Sequence, residues 1–595
     1  MIRSLLRLRD FVARYRWRLI VGIAAFGIAR VLEAAVPVLL GMSIDRIAGG
    51  DMDLLWPVLG IFGAVTGRFV VVTGARYLVR SAGLFVAFDL RQALYAALQH
   101  QGSRFFARHT IGDMMTRAVA DISLIQRLIA MGTVLLVIMI YAPLVGFGFM
   151  LYQAPSLALL LLPPLPLVFY YARWSSRRMG VASRDVQDRL SDLGAHVQEN
   201  LSGIRTIQAM VQEDNEIRRF AGTNQAYADA FYRQAWINSM MTAVMPALAG
   251  VCMITILGYG GYLVQTGAMT VGVLVSFIGL LHMVVQPFRT AGFLINLLQR
   301  AAVAADRLFD VLSLDPEIQD RPSGATPARI TGRIEFRDLS YRFDGSDATV
   351  LDHVSLNVAP GETVALMGRV GAGKTTLLRL LVRLLDPPAG RIFVDGHDVR
   401  DYPLAQLRSQ IAFVPQDPFL FGEPLGANLT YDDPQRALDQ IWAAAASADL
   451  RDTIEEFPDR METLVGERGV TLSGGQKQRA TLARGLIRDA PVLVLDDCFS
   501  SVDTGTEEHI LGELKRLRAR QTTLLVSHRV STARHADRIV VMEAGRVAEV
   551  GSHDELLARG GLYAELERIQ REGAGEDDYA QPHGRGPEPT PELGG

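Results

Sequence analysis

The chain has few cysteines and almost no lysine. Its two cysteines are Cys252, in an apolar stretch, and Cys498, beside two aspartates, so a disulfide framework is excluded. Lysine occurs only at Lys374, Lys477 and Lys515, among 60 lysines and arginines in total. The formal net charge of −3 gives no reason to expect nucleic acid as a partner.

Formal charge is missing from two long stretches. Residues 128–172 and 234–288 carry no charged side chain, and each stretch is about twice the ~20 residues that span a bilayer. Each therefore predicts a hairpin of two membrane helices. Two further apolar stretches, 17–42 and 54–80, raise the predicted number of spans to six. The chain of 595 residues is too long for one domain, and hydropathy is concentrated before residue 300, so a soluble half should follow the membrane half.

The arginines predict the orientation of these spans in the lipid bilayer. The predicted outer loops near 43–53, 152–155 and 264–269 contain a single basic residue, Arg46. Six arginines precede the first span: Arg3, Arg7, Arg9, Arg14, Arg16 and Arg18. Because basic residues favour the cytoplasmic side, we expect a multi-pass protein of the cell (inner) membrane with its N-terminus and soluble half in the cytoplasm.

The first 16 residues predict a basic amphipathic helix that lies on the inner membrane surface. A cleaved signal peptide is the alternative. We reject it because Arg30 and Glu33 interrupt its apolar core.

A glycine-rich run lies in the soluble half. Residues 368–375, GRVGAGKT, match the pattern GxxxxGK[ST], after a strand-like segment and before a helix-like one. Such a loop directs backbone N–H groups and a helix N-terminus at phosphates, while the lysine reaches the β- and γ-phosphates and the hydroxyl reaches Mg²⁺. The residues predicted to bind ATP here are Gly368, Arg369, Val370, Gly371, Ala372, Gly373, Lys374, Thr375 and Thr376.

Two carboxylates follow a second apolar segment. Residues 492–497, VLVLDD, predict a buried parallel strand that ends in Asp496 and Asp497. In a P-loop ATPase the first carboxylate binds Mg²⁺, together with Thr375 here, and the next residue positions the attacking water. A turn carboxylate without a catalytic role is the alternative for Asp497.

The run LSGGQ at residues 472–476 completes the pattern. With LSGGQKQR downstream of a P-loop, the chain resembles the ATP-binding cassette (ABC) transporters, specifically exporter half-transporters. The resemblance implies an α-helical membrane domain with six spans and long intracellular helices, joined to an α/β P-loop nucleotide-binding domain with a helical subdomain. We expect an amphipathic helix at 1–16, the membrane domain at 17–310, a linker at 311–330, the nucleotide-binding domain at 331–570 and a disordered tail at 571–595.

The resemblance also implies roles for single residues. Phe343 resembles the aromatic that stacks on adenine, with Tyr341 as the second candidate and an ordinary strand aromatic as the alternative. Gln416 resembles the Q-loop glutamine that senses Mg²⁺, and residues 500–503 resemble the D-loop. His528 resembles the switch histidine that contacts the γ-phosphate. Together with Asp497, these two residues are the expected catalytic group.

The signature residues imply a dimer. In this family Ser473 and Gly475, with Gly474 and Gln476 beside them, act on the nucleotide of the opposite cassette. Residues 465–469, VGERG, resemble a segment that touches the partner's intracellular helices. Residues 105–117 and 199–214 resemble the coupling segments that dock on the cassettes, and the second reaches the opposite subunit.

Asp497 departs from the family pattern. The family usually has glutamate at this position, and aspartate moves the carboxylate back by about 1.5 Å, the length of one methylene. Because even 1 Å of misplacement can reduce a rate about a hundredfold, this site should bind ATP and hydrolyse it slowly. A second, different half-transporter is therefore the expected partner, with a homodimer as the alternative.

The transported substrate is not specified by the sequence. Arg30, Glu33, Arg68 and His282 lie within predicted spans and are candidates for lining the pathway, although Arg30 and Glu33 at i, i+3 can satisfy each other. The Met-, Leu-, Phe- and Gly-rich spans suit a small hydrophobic or amphipathic substrate. ATP-driven export is the expected function. Lipid flipping, import through the same fold and nucleotide-gated regulation are the alternatives.

Overall fold

The computed structural model describes residues 2–320, 327–343, 348–466, 469, 471–517 and 521–577. The chain divides into two compact units. The first contains residues 1–99 and 109–315, and the second contains residues 100–108 and 316–595.

The first unit is helical. Its long apolar helices are interrupted by π-helical turns at Arg117–Asp121, Leu128–Gly132 and Ile256–Gly260 and by a 3₁₀ turn at Gln286–Thr290. The helices are α1 Ile2–Leu6, α2 Arg9–Ala13, α3 Arg16–Ala48, α4 Leu55–Gln99, α6 Ile111–Thr116, α7 Ile122–Arg127, α8 Thr133–Gln153, α9 Pro155–Leu160, α10 Pro164–Ser202, α11 Ile204–Ala209, α12 Glu213–Thr255, α13 Gly261–Gln265, α14 Val271–Val285 and α15 Ala291–Leu312.

Within the described residues, four helical segments are long and apolar enough to cross a membrane: Arg16–Ala48, Leu55–Gln99, Ile111–Gln153 and Glu213–Gln265. Each of the other two predicted spans contains or ends at a break in the helix. One begins in α9 and continues, after a break at 161–163 that includes Pro163, in the first turns of α10, a helix of 39 residues; the other contains α14 and ends at a turn that contains Pro287. Proline explains both interruptions because it lacks a backbone N–H and its ring clashes with the preceding turn.

The predicted amphipathic helix at 1–16 is two short helices, α1 and α2, and α3 begins already at Arg16. Ser4 Oγ donates to Asp306 Oδ2 at 2.8 Å, so α1 is tied to α15. Tyr15 Oη donates to Asp89 Oδ2 at 3.1 Å, which ties the start of α3 to α4.

The second unit contains two sheets. An antiparallel sheet has the order β2-β1-β4-β5, and a six-stranded sheet has the order β10-β9-β3-β8-β7-β6, parallel except for β10. The strands are β1 Ile334–Arg342, β2 Thr349–Val358, β3 Thr363–Met367, β4 Ile392–Val394, β5 His397–Asp398, β6 Ile411–Val414, β7 Val492–Asp496, β8 Thr522–Val526, β9 Arg538–Glu543 and β10 Arg546–Gly551.

Short helices surround these sheets. Helices α18 to α21 pack on a core cluster that includes residues of β6 and β7, which confirms the expected helical subdomain of an α/β domain. The helices are α5 Ser103–Arg108, α16 Lys374–Leu381, α17 Leu404–Gln410, α18 Leu425–Leu429, α19 Leu438–Ser447, α20 Arg451–Glu456, α21 Gly474–Leu486, α22 Thr504–Leu517, α23 Val530–Ala533, α24 His553–Arg559 and α25 Leu562–Asp577.

The limits of the predicted segments differ from the elements in three places. Helix α15 continues to Leu312, just inside the predicted linker at 311–330. The first predicted coupling segment, 105–117, begins within residues 100–108, and these residues belong to the second unit. Helix α25 ends at Asp577, seven residues beyond the predicted domain end at 570, and residues 578–595 lie outside the described residues.

Candidate active site

The carboxyl ends of the parallel strands bring the predicted site residues together. Strand β3 leads into the glycine-rich loop, β6 leads toward Gln416, β7 ends at Asp496, and β8 leads to His528. Because ligands of open α/β sheets bind at the carboxyl ends of the strands, this edge is the candidate active site.

The loop between β3 and α16 requires glycine. Gly368, Gly371 and Gly373 have φ of +139°, +86° and +92°, values that side chains rarely adopt. A Cβ at Gly368 would lie 2.1 Å from the carbonyl oxygen of Met542, and one at Gly373 would lie 2.9 Å from that of Val350. The loop can therefore take this conformation only with glycine at these positions.

Lys374, the first residue of α16, folds over its own loop. Its Nζ donates to the carbonyl oxygens of Gly368 at 2.7 Å and Arg369 at 3.1 Å. Burial lowers the pKa of Lys374, and the carboxylates of Asp497 and Asp496 oppose this shift. An ammonium held only by neutral carbonyls beside a helix N-terminus fits a phosphate ligand, which would bring it a charged partner. The residues present therefore fit ATP.

Thr375 and Asp496 form a pair of oxygen groups next to this lysine. Thr375 Oγ1 donates to Asp496 Oδ1 at 2.8 Å. Burial raises the pKa of Asp496, and the hydrogen bond from Thr375 offsets part of this shift. A hydroxyl and a carboxylate are oxygen ligands of the kind that Mg²⁺ prefers, so the pair fits the expected metal. When bound in such a site, Mg²⁺ neutralises charge on the β- and γ-phosphates.

Asp497 contacts both other members of the expected catalytic group, Gln416 and His528. Gln416 Nε2 donates to Asp497 Oδ2 at 3.2 Å, and His528 Nδ1 lies 2.9 Å from Asp497 Oδ1. Asp497 has φ of +47°, in the left-handed region where aspartate is among the better tolerated residues. Both carboxylate oxygens thus have partners within the same cassette.

The pairing with Asp497 predicts how His528 titrates. The hydrogen bond to Asp497 raises the pKa of His528, against burial and the nearby charges of Arg529 and Lys374. The ion pair is therefore complete below the ordinary histidine pKa and is lost as the pH rises through the raised pKa. We expect diethyl pyrocarbonate, which attacks neutral imidazole, to modify His528 at a higher pH in the wild type than in a variant that lacks the Asp497 charge.

The control is Asp497→Asn, which removes the charge and keeps the shape. In this variant the pH dependence of His528 modification, followed by peptide mass spectrometry, should move toward lower pH. An unchanged profile would contradict the pairing.

The two aromatic candidates for adenine differ in exposure. Phe343 is 36% exposed and Tyr341 is 6% exposed, and their rings contact edge to face at 5.3 Å. Tyr341 Oη also accepts a hydrogen bond from Arg104 at 3.2 Å, and Arg104 Nε lies 3.1 Å from Glu317 Oε1. Of the two, only Phe343 offers a ring to a ligand. Arg104 belongs to none of the recognised motifs, although it immediately precedes the predicted coupling segment at 105–117.

The signature residues begin α21. Ser473 is the N-cap: its Oγ accepts from the Gln476 backbone N–H at 3.2 Å, and the Gln476 side chain accepts from the Ser473 N–H at 2.9 Å. Both Ser473 and Gly474 are exposed. Further along the helix, Gln478 donates to Ser500 Oγ at 2.6 Å and accepts from the Ser501 N–H at 2.7 Å. The signature helix is thereby joined to the D-loop.

The segments expected to contact a partner are only partly described. Within residues 465–469, Glu467 and Arg468 lie outside the described residues. In the second coupling segment, α10 ends at Ser202 and α11 covers Ile204–Ala209. The apolar side chains around α11 are exposed: Leu201, Ile204, Met210 and Val211.

Three of the four charged candidates in the membrane helices form one cluster. Arg30 pairs with Glu33, and Arg68 donates to the other oxygen of Glu33 at 3.1 Å. The Nε atoms of Arg30 and Arg68 are buried without a hydrogen-bond partner. His282 on α14 is exposed.

Comparison with known proteins identifies the family. Residues 19–288 match the ABC transporter transmembrane region, and residues 351–500 match the ABC transporter domain. A protein of Syntrophus aciditrophicus named ATP-dependent lipid A-core flippase is 34% identical over 561 residues, which cover 93% of this chain and 92% of the relative. The chain belongs to the ABC transporters. A Bacillus subtilis relative, the uncharacterized ABC transporter ATP-binding protein YknU, is 31% identical over 566 residues, 95% of this chain and 97% of its own length.

A solved ABC transporter structure agrees with the fold over most of the chain. A bacterial Atm1-family ABC exporter with ATP bound superposes with a TM-score of 0.74 at 26% identity and covers 95% of this chain and 98% of its own. This ABC transporter is thus an exporter-type half-transporter and an ATP-hydrolysing translocase. It spans the membrane several times, and its nucleotide-binding domain is cytoplasmic, as in the rest of the family. ABC exporters function as dimers.

Proposed function

We propose that this chain is one half of a heterodimeric, ATP-driven exporter and that its own ATP site hydrolyses slowly. The observation that carries the proposal is Asp497, whose short carboxylate stands where the family usually has glutamate and whose two oxygens are already bonded to Gln416 and His528. A carboxylate held in this way is less available to accept a hydrogen bond from the water molecule that attacks ATP.

The reach of the side chain argues in the same direction. An aspartate carboxylate ends about 1.5 Å short of a glutamate carboxylate on the same backbone. Hydrogen bonds to a reacting water need about 2.6–3.2 Å, and a 1 Å error can reduce the rate about a hundredfold. We therefore assign slow hydrolysis to this site and retain its ATP and Mg²⁺ ligands: Lys374 for phosphate, Thr375 and Asp496 for Mg²⁺, and Gln416 as the Mg²⁺ sensor.

The signature of this chain keeps the family residues. Ser473 is exposed at the N-terminus of α21, where its backbone and hydroxyl can meet a second cassette. In the proposed heterodimer Ser473 and Gly475 complete the partner's ATP site, which supplies the fast hydrolysis. A chain whose catalytic carboxylate is shortened but whose signature is complete suits a transporter with one slow and one fast ATP site.

A homodimeric exporter or lipid flippase is the second candidate. The observation that favours it is the 34% identity to a protein named as a lipid A-core flippase. The ionic cluster of Arg30, Glu33 and Arg68 also suits an amphipathic substrate, because charge within a membrane is costly and tends to face a polar group or cavity.

The test is to isolate the tagged chain from its native membrane in mild detergent and to identify co-purifying proteins by mass spectrometry. A stoichiometric second ABC half-transporter with glutamate after its Walker B aspartate would support the heterodimer. Recovery of this chain alone as a dimer would overturn it. Failure of transported substrates to stimulate turnover of the isolated assembly would favour a gating or regulatory role instead.

A further inference from the structure

The side chain of Gln570 bridges the backbone on both sides of Arg529. Its Nε2 donates to the carbonyl oxygen of His528, and its Oε1 accepts from the Val530 N–H at 2.8 Å. One amide group therefore fixes the two peptide units that flank Arg529 and directly follow the switch histidine. Gln570 itself is half-buried on α25.

Helix α25 is firmly attached to the sheet from which the active site is built. Tyr563 is fully buried in a core cluster that includes Ala365 and Met367 of β3. Its Oη lies 2.8 Å from His553 Nδ1, and the N–H groups of Leu562 and Tyr563 donate to Glu549 at 2.7 and 3.2 Å. Because β3 leads directly into the glycine-rich loop, α25 and that loop share one rigid support.

Arg529 attaches the same backbone to a second part of the cassette. Its guanidinium donates to the carbonyl oxygens of Ser500 at 3.2 Å and Val502 at 3.1 Å, and it lies 2.7 Å from Glu507. Arg529 thus joins residues 528–530 to the D-loop, and Gln570 joins them to α25. Between the two, the His528 ring is directed at Asp497.

We propose that Gln570 is a positioning residue for His528. Its two hydrogen bonds to the backbone at 528 and 530 hold the imidazole against Asp497 and toward the γ-phosphate site. This inference rests on the proposed role of His528 as the switch histidine. Among the described residues, the side chain of Gln570 bonds to the backbone of His528 and Val530 and to none of the proposed nucleotide ligands, so its effect on ATP should pass through His528.

The experiment measures how fast radiolabelled ATPγS leaves the purified full-length transporter in its native dimeric state. The key variant is Gln570→Met, which keeps the length and packing of the side chain and removes both hydrogen bonds. Release should be about fivefold faster than in the wild type, the change expected from losing about one net hydrogen bond. Arg568→Ala, an exposed change on the same helix, is the matched control and should leave release unchanged.

A double-mutant cycle separates positioning from general stability. His528→Ala should accelerate release more strongly than Gln570→Met, and the double variant should match His528→Ala alone. The melting temperature of Gln570→Met should fall by about 2–4 °C at most, so release is measured well below the unfolding transition, where the variant is fully folded. Wild-type release in Gln570→Met, or an equal further acceleration in the His528→Ala background, would overturn the inference while leaving the role of His528 intact. Unchanged release in His528→Ala would overturn the switch role and the positioning role together.

Discussion

Replacing Ser473 with arginine should lower ATP turnover of the assembled transporter by about a hundredfold or more, because it displaces the groups that complete the partner's site. Ser473 is exposed at the first turn of α21, and its hydroxyl caps that helix. Arginine places a long, charged side chain where a second cassette must approach closely. In the proposed heterodimer this is the site that hydrolyses ATP quickly, so blocking it should remove most of the ATP turnover.

Two controls separate blockage from loss of the cap. Ser473→Ala also removes the N-cap hydrogen bond, at a cost of about 1 kcal/mol, but it leaves the approach open. It should turn over faster than Ser473→Arg while showing a similar melting temperature. Binding of ATP to this chain's own loop should survive Ser473→Arg and be weakened by Lys374→Ala. If Ser473→Arg and Ser473→Ala turned over equally fast, blockage at the signature would be refuted.

The sequence predicted the parts of this site that are carried by local motifs. Gly368, Gly371 and Gly373 have positive φ, and a motif defined by glycine spacing records that requirement directly. Thr375 and Asp496 are 121 residues apart, yet both follow strand-like segments whose carboxyl ends meet at one edge, so their 2.8 Å contact was foreseeable. Gln416 and His528 were named from the family resemblance and not from the strand pattern, and in the structure both contact Asp497.

Other residues could not be foreseen because their roles depend on tertiary contacts without a local pattern. Gln570 is 42 residues from His528, and Arg104 is 237 residues from Tyr341. Nothing in the spacing of polar residues on an amphipathic helix indicates which one will reach a distant backbone. Arg529 and Gln478 adjoin recognised motifs, and that adjacency was the only available signal.

The membrane half shows a different limit. Absence of charge together with high hydropathy predicted where helices lie, since about 20 consecutive, predominantly apolar residues can cross a bilayer. It did not predict that α1 and α2 are separate or that the last span ends in a 3₁₀ turn at Gln286–Thr290. Helix ends and interruptions depend on individual prolines and side-chain contacts, to which hydropathy averaged over a window is insensitive.

Extending Asp497 to glutamate should increase hydrolysis at this chain's own site by about a hundredfold, because the carboxylate regains the reach of one methylene. In an otherwise wild-type heterodimer the fast site would mask much of this gain. The measurement therefore uses the Ser473→Arg background, in which the partner's site is blocked while this chain's loop still meets the partner's signature. Asp497→Glu should restore turnover there. The left-handed backbone at Asp497 makes glutamate slightly less favourable, so the melting temperature should fall slightly.

The same variant distinguishes the two proposed assemblies. In a homodimer Ser473→Arg blocks both sites, and no change at Asp497 can restore turnover. In the heterodimer Asp497→Ala should lower turnover of the otherwise unmodified transporter only modestly, since the fast site does not use this carboxylate. Complete loss of turnover in Asp497→Ala, together with no rescue by Asp497→Glu, would show that Asp497 is itself the hydrolytic carboxylate in two equivalent sites. The short side chain would then be a full substitute for glutamate, and its bonds to Gln416 and His528 would be those of a working active site.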